Sequence, residues 1–301
     1  MMKILIGHDG SQSADAALVD LQRAGLPAEA EALVVSVADV MMVPETVGHE
    51  LAAEALMSRR VASSLLYAQR QSERVLNEAR DFANRARDQV QNYFPHWSVR
   101  AETLAGSAGW ELIRKASDWR PDLIVVGSHG RSAVSRFVLG SVSKKLVTDS
   151  GYSVRVSRGD IERDLNKPPK LVIGVDGSSE AEQAVRTVGS RIWAPGTEVR
   201  IIAVDDGSSG EMDKLPLAAA QMIAWAENAL SEIGLKVSVV TEKGDPRRVL
   251  IDQAKAWDAD SIFVGGRRFN SALERFQLGS VATALVTKAH CSVEVARSRA
   301  S

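Results

Sequence analysis

Three short stretches hold residue types that grip anions through the backbone. Gly127-Ser-His-Gly130 closes an apolar run, and Gly140-Ser141 follows nine residues later, just before a segment of helical composition. Asp9-Gly10-Ser11 closes a second apolar run near the start of the chain. Glycine lets a chain take positive φ and bring its amides close to a ligand, and Gly127 and Gly130 are expected to do so. Gly140-Ser141 sets the unpaired amides of a helix start beside them, with the Ser141 hydroxyl free to cap the helix or to donate to a phosphate oxygen. Asp9 supplies an acceptor for a hydroxyl, an amino group or a metal. Ser11 and Ser178 have the position of helix caps.

These stretches recur. KILIGHDGSQSADAAL at residues 3–18 returns as KLVIGVDGSSEAEQAV at 170–185, and ASDWRPDLIVVG at 116–127 as AKAWDADSIFVG at 254–265. RFVLGSV at 136–142 returns as RFQLGSV at 275–281. Repeated blocks in conserved order mean a duplicated unit. Residues 1–157 form the first copy and 170–301 the second. The polar, proline-closed stretch 158–169 is the linker. Each copy alternates apolar β-rich runs with helical spacing, which predicts an α/β fold with a parallel sheet covered on both faces. Ligands on such sheets bind beyond the C-terminal strand ends, where strand order reverses; if the order is the common five-strand one, the loops after strands 1 and 4 converge there.

The first copy carries an insertion at about 44–92. Val75, Ala79, Phe82, Ala86 and Val90 form one apolar stripe there, with Arg70, Arg74, Arg80 and Arg87 around it. The plain reading extends the second helix of the unit; the sharper one makes an interaction arm or lid.

Gly127-x-x-Gly130, nine residues, then Gly140-Ser141 resembles the nucleotide-binding signature of the universal stress protein family, and Asp-Gly-Ser after strand 1 belongs to the same likeness. The resemblance covers nearly the whole chain as two tandem copies. It implies two flavodoxin-like, doubly wound domains, each a five-stranded parallel sheet of order 3-2-1-4-5, associating through the last strand. It also implies ATP, with or without Mg, as the ligand. On that likeness Asp9 and Val37 contact adenosine, while Gly127, Gly130, Gly140, Ser141 and the adjoining Val142 hold the phosphates. The second copy offers Asp176, Val204, Gly266, Gly279 and Ser280. Aligning Gly279-Ser280 on Gly140-Ser141 sets Gly266 opposite Gly127 and Phe269 opposite Gly130. A ring at 269 would fill the phosphate space, which Arg267 and Arg268 compensate only in part. The second site is therefore expected to be degenerate.

Other chemistry finds little footing. No P-loop, G-x-G-x-x-G, G-x-S-x-G or H-E-x-x-H motif occurs. His8 beside Asp9 makes a weak metal pair, and His129 reads as an exposed loop residue. With 37 basic and 38 acidic residues, no overall field favours nucleic acid or a membrane surface. No apolar stretch reaches the ~20 residues of a membrane span, and MMKILIGHDG is too short for a signal peptide. The lone Cys291 reads as a buried thiol in a reducing compartment. The sequence thus predicts a cytoplasmic, ATP-binding stress regulator or sensor whose copies pair within the chain, with a whole-chain homodimer possible. A slow ATPase or nucleotidyl transferase, and a nucleotide-free interaction module, stay open as alternatives.

Overall fold

The computed structural model describes residues 1–40, 59–130 (backbone only for 59–66), 139–158, 164–207, 216–266 and 279–298. Strands β1 (Met2–Gly7), β2 (Ala30–Ala38), β3 (Ser98–Ala105), β4 (Leu123–Gly127) and β5 (Ser153–Ser157) belong to the first half. The second half contributes β6 (Lys170–Val175), β7 (Glu198–Asp205), β8 (Lys236–Lys243), β9 (Ser261–Gly265) and β10 (Ser292–Ala296). Helices α1 (Gln12–Asp20), α2 (Arg59–Tyr93), α3 (Ala108–Trp119) and α4 (Ser141–Asp149) alternate with the first set. Helices α5 (Ser179–Gly189), α6 (Leu217–Glu232), α7 (Pro246–Ala256) and α8 (Ser280–Lys288) alternate with the second.

The strand order is β3-β2-β1-β4-β5-β10-β9-β6-β7-β8. Within each half the expected 3-2-1-4-5 order and parallel pairing hold. What differs from two separate five-stranded sheets is the join. β5 and β10 pair antiparallel, with Glu294 opposite Arg155, so one sheet of ten strands runs through both halves. The central strands β1, β4, β6 and β9 are buried on both faces, which is why they read as unbroken apolar runs. The halves even share a backbone oddity: Arg120 and Asp258 both take left-handed φ, +52° and +54°, in the turns before β4 and β9.

One face of the sheet carries a continuous core. Leu5, Val126, Leu146 and Val156 of the first half and Leu250, Val264, Leu285 and Val293 of the second belong to it, as does the buried Cys291. The opposite face holds two separate cores, one per half. In the first of these, Ala86 and Val90 of α2 meet Ile4, Ile6 and Val34, with Ala79 and Ala83 of the same helix also buried. That part of the helix therefore fills the place of an ordinary covering helix; residues 44–58 of the insertion lie outside the described residues. Trp97 ends this core, stacked on Phe94 at 3.9 Å between centroids and donating its indole N–H to the Pro27 carbonyl. Trp97→Ala should lower the unfolding free energy by about 3–5 kcal/mol in urea titrations, since both the ring's burial and its hydrogen bond are lost.

Candidate functional site

The loop after β1 is tied down from several sides. His8 N–H donates to the Val35 carbonyl at 2.9 Å, bending the chain across β2. The Asp9 carboxylate accepts the Ser11 amide at 3.0 Å, and the Ser11 hydroxyl caps α1 by accepting the Ala14 amide at 3.2 Å. Gly10 sits at φ +75°, and a Cβ there would lie 2.4 Å from the Phe82 ring of α2. Glycine at 10 is thus required twice, by conformation and by the ring above it. His8 points inward, away from any metal partnership with Asp9. Its Nε2 lies 3.0 Å from Asp15 Oδ1, and its Nδ1 accepts the Gly10 amide at 3.3 Å. That pattern assigns the proton to Nε2. Burial lowers the His8 pKa from its ordinary 6.5, overriding Asp15, which pulls the other way, while Arg85 of α2 lowers it further.

The loop after β4 comes to the same place. A Cβ on Gly130 would stand 2.8 Å from Asp9 Oδ2, so the first loop's carboxylate lies directly against the second loop's glycine. Gly140 N–H donates to the Ser128 carbonyl at 2.8 Å, bringing the start of α4 to that point too. The three predicted stretches thus converge; residues 131–138 between them lie outside the described residues. The reason for the glycines differs from the expected one. Neither Gly127 nor Gly130 has positive φ; Gly127 is needed for close approach, and Gly130 leaves room for the tip of the Asp9 side chain. At Gly127 the space goes to α1, since a Cβ would meet the Ser13 carbonyl at 2.7 Å. Ser141 does not cap α4 either. Gly140 is the N-cap residue, without a side-chain bond, and Ser141 is the exposed first residue of the helix. The helix itself uses neither the Ser141 hydroxyl nor its first-turn amides. Val142 is half-buried against the core, and Val37 is half-buried at the end of β2.

Serines that sequence reasoning passed over hold this loop in place. Ser143 Oγ donates to the Gly127 carbonyl at 2.6 Å, fastening α4 to the end of β4. Buried Ser128 bonds the half-buried His129 ring at 2.9 Å and lies 3.4 Å from Ser13 Oγ. No local pattern marks such hydroxyls, because their partners are 115 and 16 residues away. Phe82 was legible only as part of an apolar stripe.

The second half keeps the frame and loses the fastenings. Gly265, and not Gly266, is the counterpart of Gly127: it ends β9, and a Cβ there would strike Glu180 of α5 as one on Gly127 strikes Ser13. Alignment on Gly279-Ser280 missed this because the loop between is one residue longer. Gly266 instead donates to the Ala296 carbonyl and packs beneath Arg297 and Val295. The places of Ser13, Ser128 and Ser143 are taken by Glu180, Gly266 and Ala282. Exposed Asp176 accepts the Ser178 amide as Asp9 does Ser11's, and Ser178 caps α5. Gly177, at φ +86°, faces the backbone of Ala218 and Ala219 in α6 instead of an aromatic ring. Val204 lies half-buried at the end of β7, and Gly279 precedes α8 with Ser280 as its exposed first residue. Arg267, Arg268 and Phe269 lie outside the described residues. Among the described residues no group of three metal-binding side chains occurs, and no helix is long and apolar enough to cross a membrane.

Comparison with known proteins agrees with this architecture. The model of the universal stress protein family matches residues 1–158 and again 169–297. A universal stress protein of Mycobacterium tuberculosis H37Rv is 29% identical over 214 residues, covering 66% of this chain and 69% of its own. One from Mycolicibacterium smegmatis is 25% identical over 214 residues, covering 67% and 70%. The crystal structure of a universal stress protein from Archaeoglobus fulgidus superimposes over 98% of both chains with a TM-score of 0.63, at 19% identity, a likeness of fold.

The buried His8 makes stability depend on pH. Its folded pKa lies below the unfolded 6.5, so its contribution is complete above 6.5 and is lost as pH falls through the lower value. Urea unfolding at stepped pH should show wild-type stability declining below pH 6.5. In His8→Asn that part of the slope, up to one proton's worth, should be absent.

Proposed function

Because the chain belongs to the universal stress protein family, we propose that it is a stress-response regulator or sensor that binds ATP mainly in the domain of residues 1–157. Residues 170–301 form the second domain, joined through 158–169, and carry a degenerate site. The observation that carries this reading is the meeting of Asp9, Gly130 and Gly140 at one point, with a helix N-terminus beside them. A carboxylate acceptor next to donor-rich backbone suits a nucleoside phosphate: hydroxyl or amino groups at one end, anionic oxygens at the other.

In this reading Asp9 and Val37 take the adenosine. Gly130, Gly140, Ser141 and Val142 meet the phosphates through amides and one hydroxyl, and Gly127 contributes backbone only, its side-chain space being filled by α1. A magnesium ion would enter with the phosphates, which supply its oxygen ligands. The asymmetry rests on the serines. Ser13, Ser128 and Ser143 hold the first loop against α1 and α4, and the second half has none of the three. Asp176, Val204, Gly266, Gly279 and Ser280 are then a partial set that keeps the fold. The β5–β10 pairing supports reading the two domains as an internal pseudo-dimer. Cytoplasmic residence and a homodimer of whole chains complete the proposal.

Acid extraction of freshly purified protein, followed by chromatography, should yield about one ATP per chain. Gly130→Phe should weaken ATP binding at least tenfold on titration, since the ring must displace Asp9 or fill the phosphate space. ADP accumulating over hours would favour slow hydrolysis instead. No nucleotide and no affinity would overturn the proposal.

A further inference from the structure

Among the described residues, β3 and β8 are the two outer strands of the sheet. β8 reads Lys236-Val-Ser-Val-Val-Thr-Glu-Lys243, uncharged from Val237 to Thr241 and rich in β-branched residues, the composition of a strand that accepts another beside it. Its inner edge is used. Lys236 N–H donates to the Thr197 carbonyl and Gly244 N–H to the Asp205 carbonyl, so even-numbered residues turn their amides to β7. Val237, Val239 and Thr241 turn theirs outward, and the last two are exposed. By the pleat, the side chains of Val237, Val239 and Thr241 share the face that α6 covers, while Lys236, Ser238, Val240 and Glu242 share the opposite one. At the other edge of the sheet the corresponding Val99, Ala101 and Thr103 of β3 are half-buried, and Glu102 is already paired with Lys115 at 2.6 Å.

A second copy meeting β8 across a two-fold axis lies antiparallel to it, and outward residues must face outward residues. Only registers that set odd-numbered positions opposite odd-numbered ones can therefore form the ladder. Among these, the register centred on Val239 sets Lys236 opposite Glu242 of the second copy, and does so twice. No other allowed register sets unlike charges of this strand against each other. Both charges are open to such a match: among the described residues neither joins an ion pair, and Glu242 accepts only from the neutral Gln253 amide. On the other face, Val239 would meet itself on the axis and Val237 would meet Thr241. Helix α6 flanks that face. Its Trp225 is turned inward to Arg186 of α5, so helical spacing puts Ala220, Ile223 and Ala224 on the side toward the edge. Small and apolar, they leave room for the same helix of a second copy.

We propose that β8 is the surface through which two copies of this chain associate, antiparallel about a two-fold axis at Val239, joining two ten-stranded sheets into one. The occupant is fixed by self-complementarity: the open amides and the Lys236–Glu242 match select the same register independently. The ladder bonds and the valine contacts supply the affinity. The charges supply the register, since an exposed ion pair adds little strength. The assembly rests on the proposed whole-chain homodimer and is independent of the nucleotide site.

Sedimentation equilibrium of the full chain should find a dimer. Lys236→Glu and Glu242→Lys each set like charges opposite each other twice and should weaken it about tenfold or more. The double variant restores the match and should return the affinity to within about threefold of wild type. Oxidation of Val239→Cys should give a disulfide-linked dimer, because that position faces itself across the axis. Val237→Cys and Thr241→Cys should stay unlinked, each lying four residues along the ladder from its own copy, beyond the reach of a disulfide. Should Glu242→Lys fail to fold for want of its bond to Gln253, Lys236→Glu and the three cysteine variants carry the test. A monomeric wild type would overturn both this surface and the homodimer. A dimer that the single charge changes leave intact, that the double variant fails to restore, or that links as readily through 237 or 241 would overturn the surface alone.

Discussion

The fully buried Arg155 guanidinium is the constraint on which the rest of the molecule is arranged. A charge without water must be answered on every side, and here the answers come from Asp20 at the end of α1, Ser261 at the start of β9 and Glu294 in β10. Burial alone would lower the Arg155 pKa; the two carboxylates outweigh it and raise it, so the cation is locked in. At Arg191 burial outweighs Glu294 and the pKa is lowered, so the two arginines answer the same carboxylate unequally. Removing one member of such a cluster strands the others, at a cost on the order of 3–5 kcal/mol. Another ion pair between the halves, Arg23 with Asp260, repeats the theme with the linker drawn in, since Arg23 also donates to the Asp164 and Lys167 carbonyls.

Helix α1 connects this junction to the candidate nucleotide loop. Its N-terminal end holds that loop: Ser11 caps it, Ser13 lies under Gly127, and Asp15 grips His8. Its C-terminal residue is Asp20, in the charge cluster. A helix of nine residues is a stiff strut of about 14 Å, so the position of the loop is set by where the two halves lock together. The β5–β10 join and the candidate site are in this sense parts of one frame.

Much of this was legible in the sequence, and what was not has physical reasons. The duplicated blocks and apolar runs foretold two parallel α/β halves, because a strand buried on both faces tolerates little else; the strand order within each half came only with the family resemblance. The three glycine-bearing stretches foretold where loops would meet. Their detail did not follow. Positive φ was expected at Gly127 and Gly130, but the glycines serve close approach, a property of the neighbour, which a sequence does not display locally. Gly265 was displaced by Gly266 as the counterpart of Gly127 because the loop had gained one residue. The serines were invisible, since a hydroxyl gains meaning only from its partner. Nothing in the sequence singles out Arg155, and nothing short of the β5–β10 register could show that Glu294 stands opposite.

On the proposed function, one domain holds the nucleotide while the other keeps the fold. Calorimetric titration of ATP into Asp9→Ala and Asp176→Ala tests it most directly. The prediction is one site per chain in wild type, abolished in Asp9→Ala and unchanged in Asp176→Ala. Two equivalent sites, or binding lost through Asp176 and kept without Asp9, would contradict it.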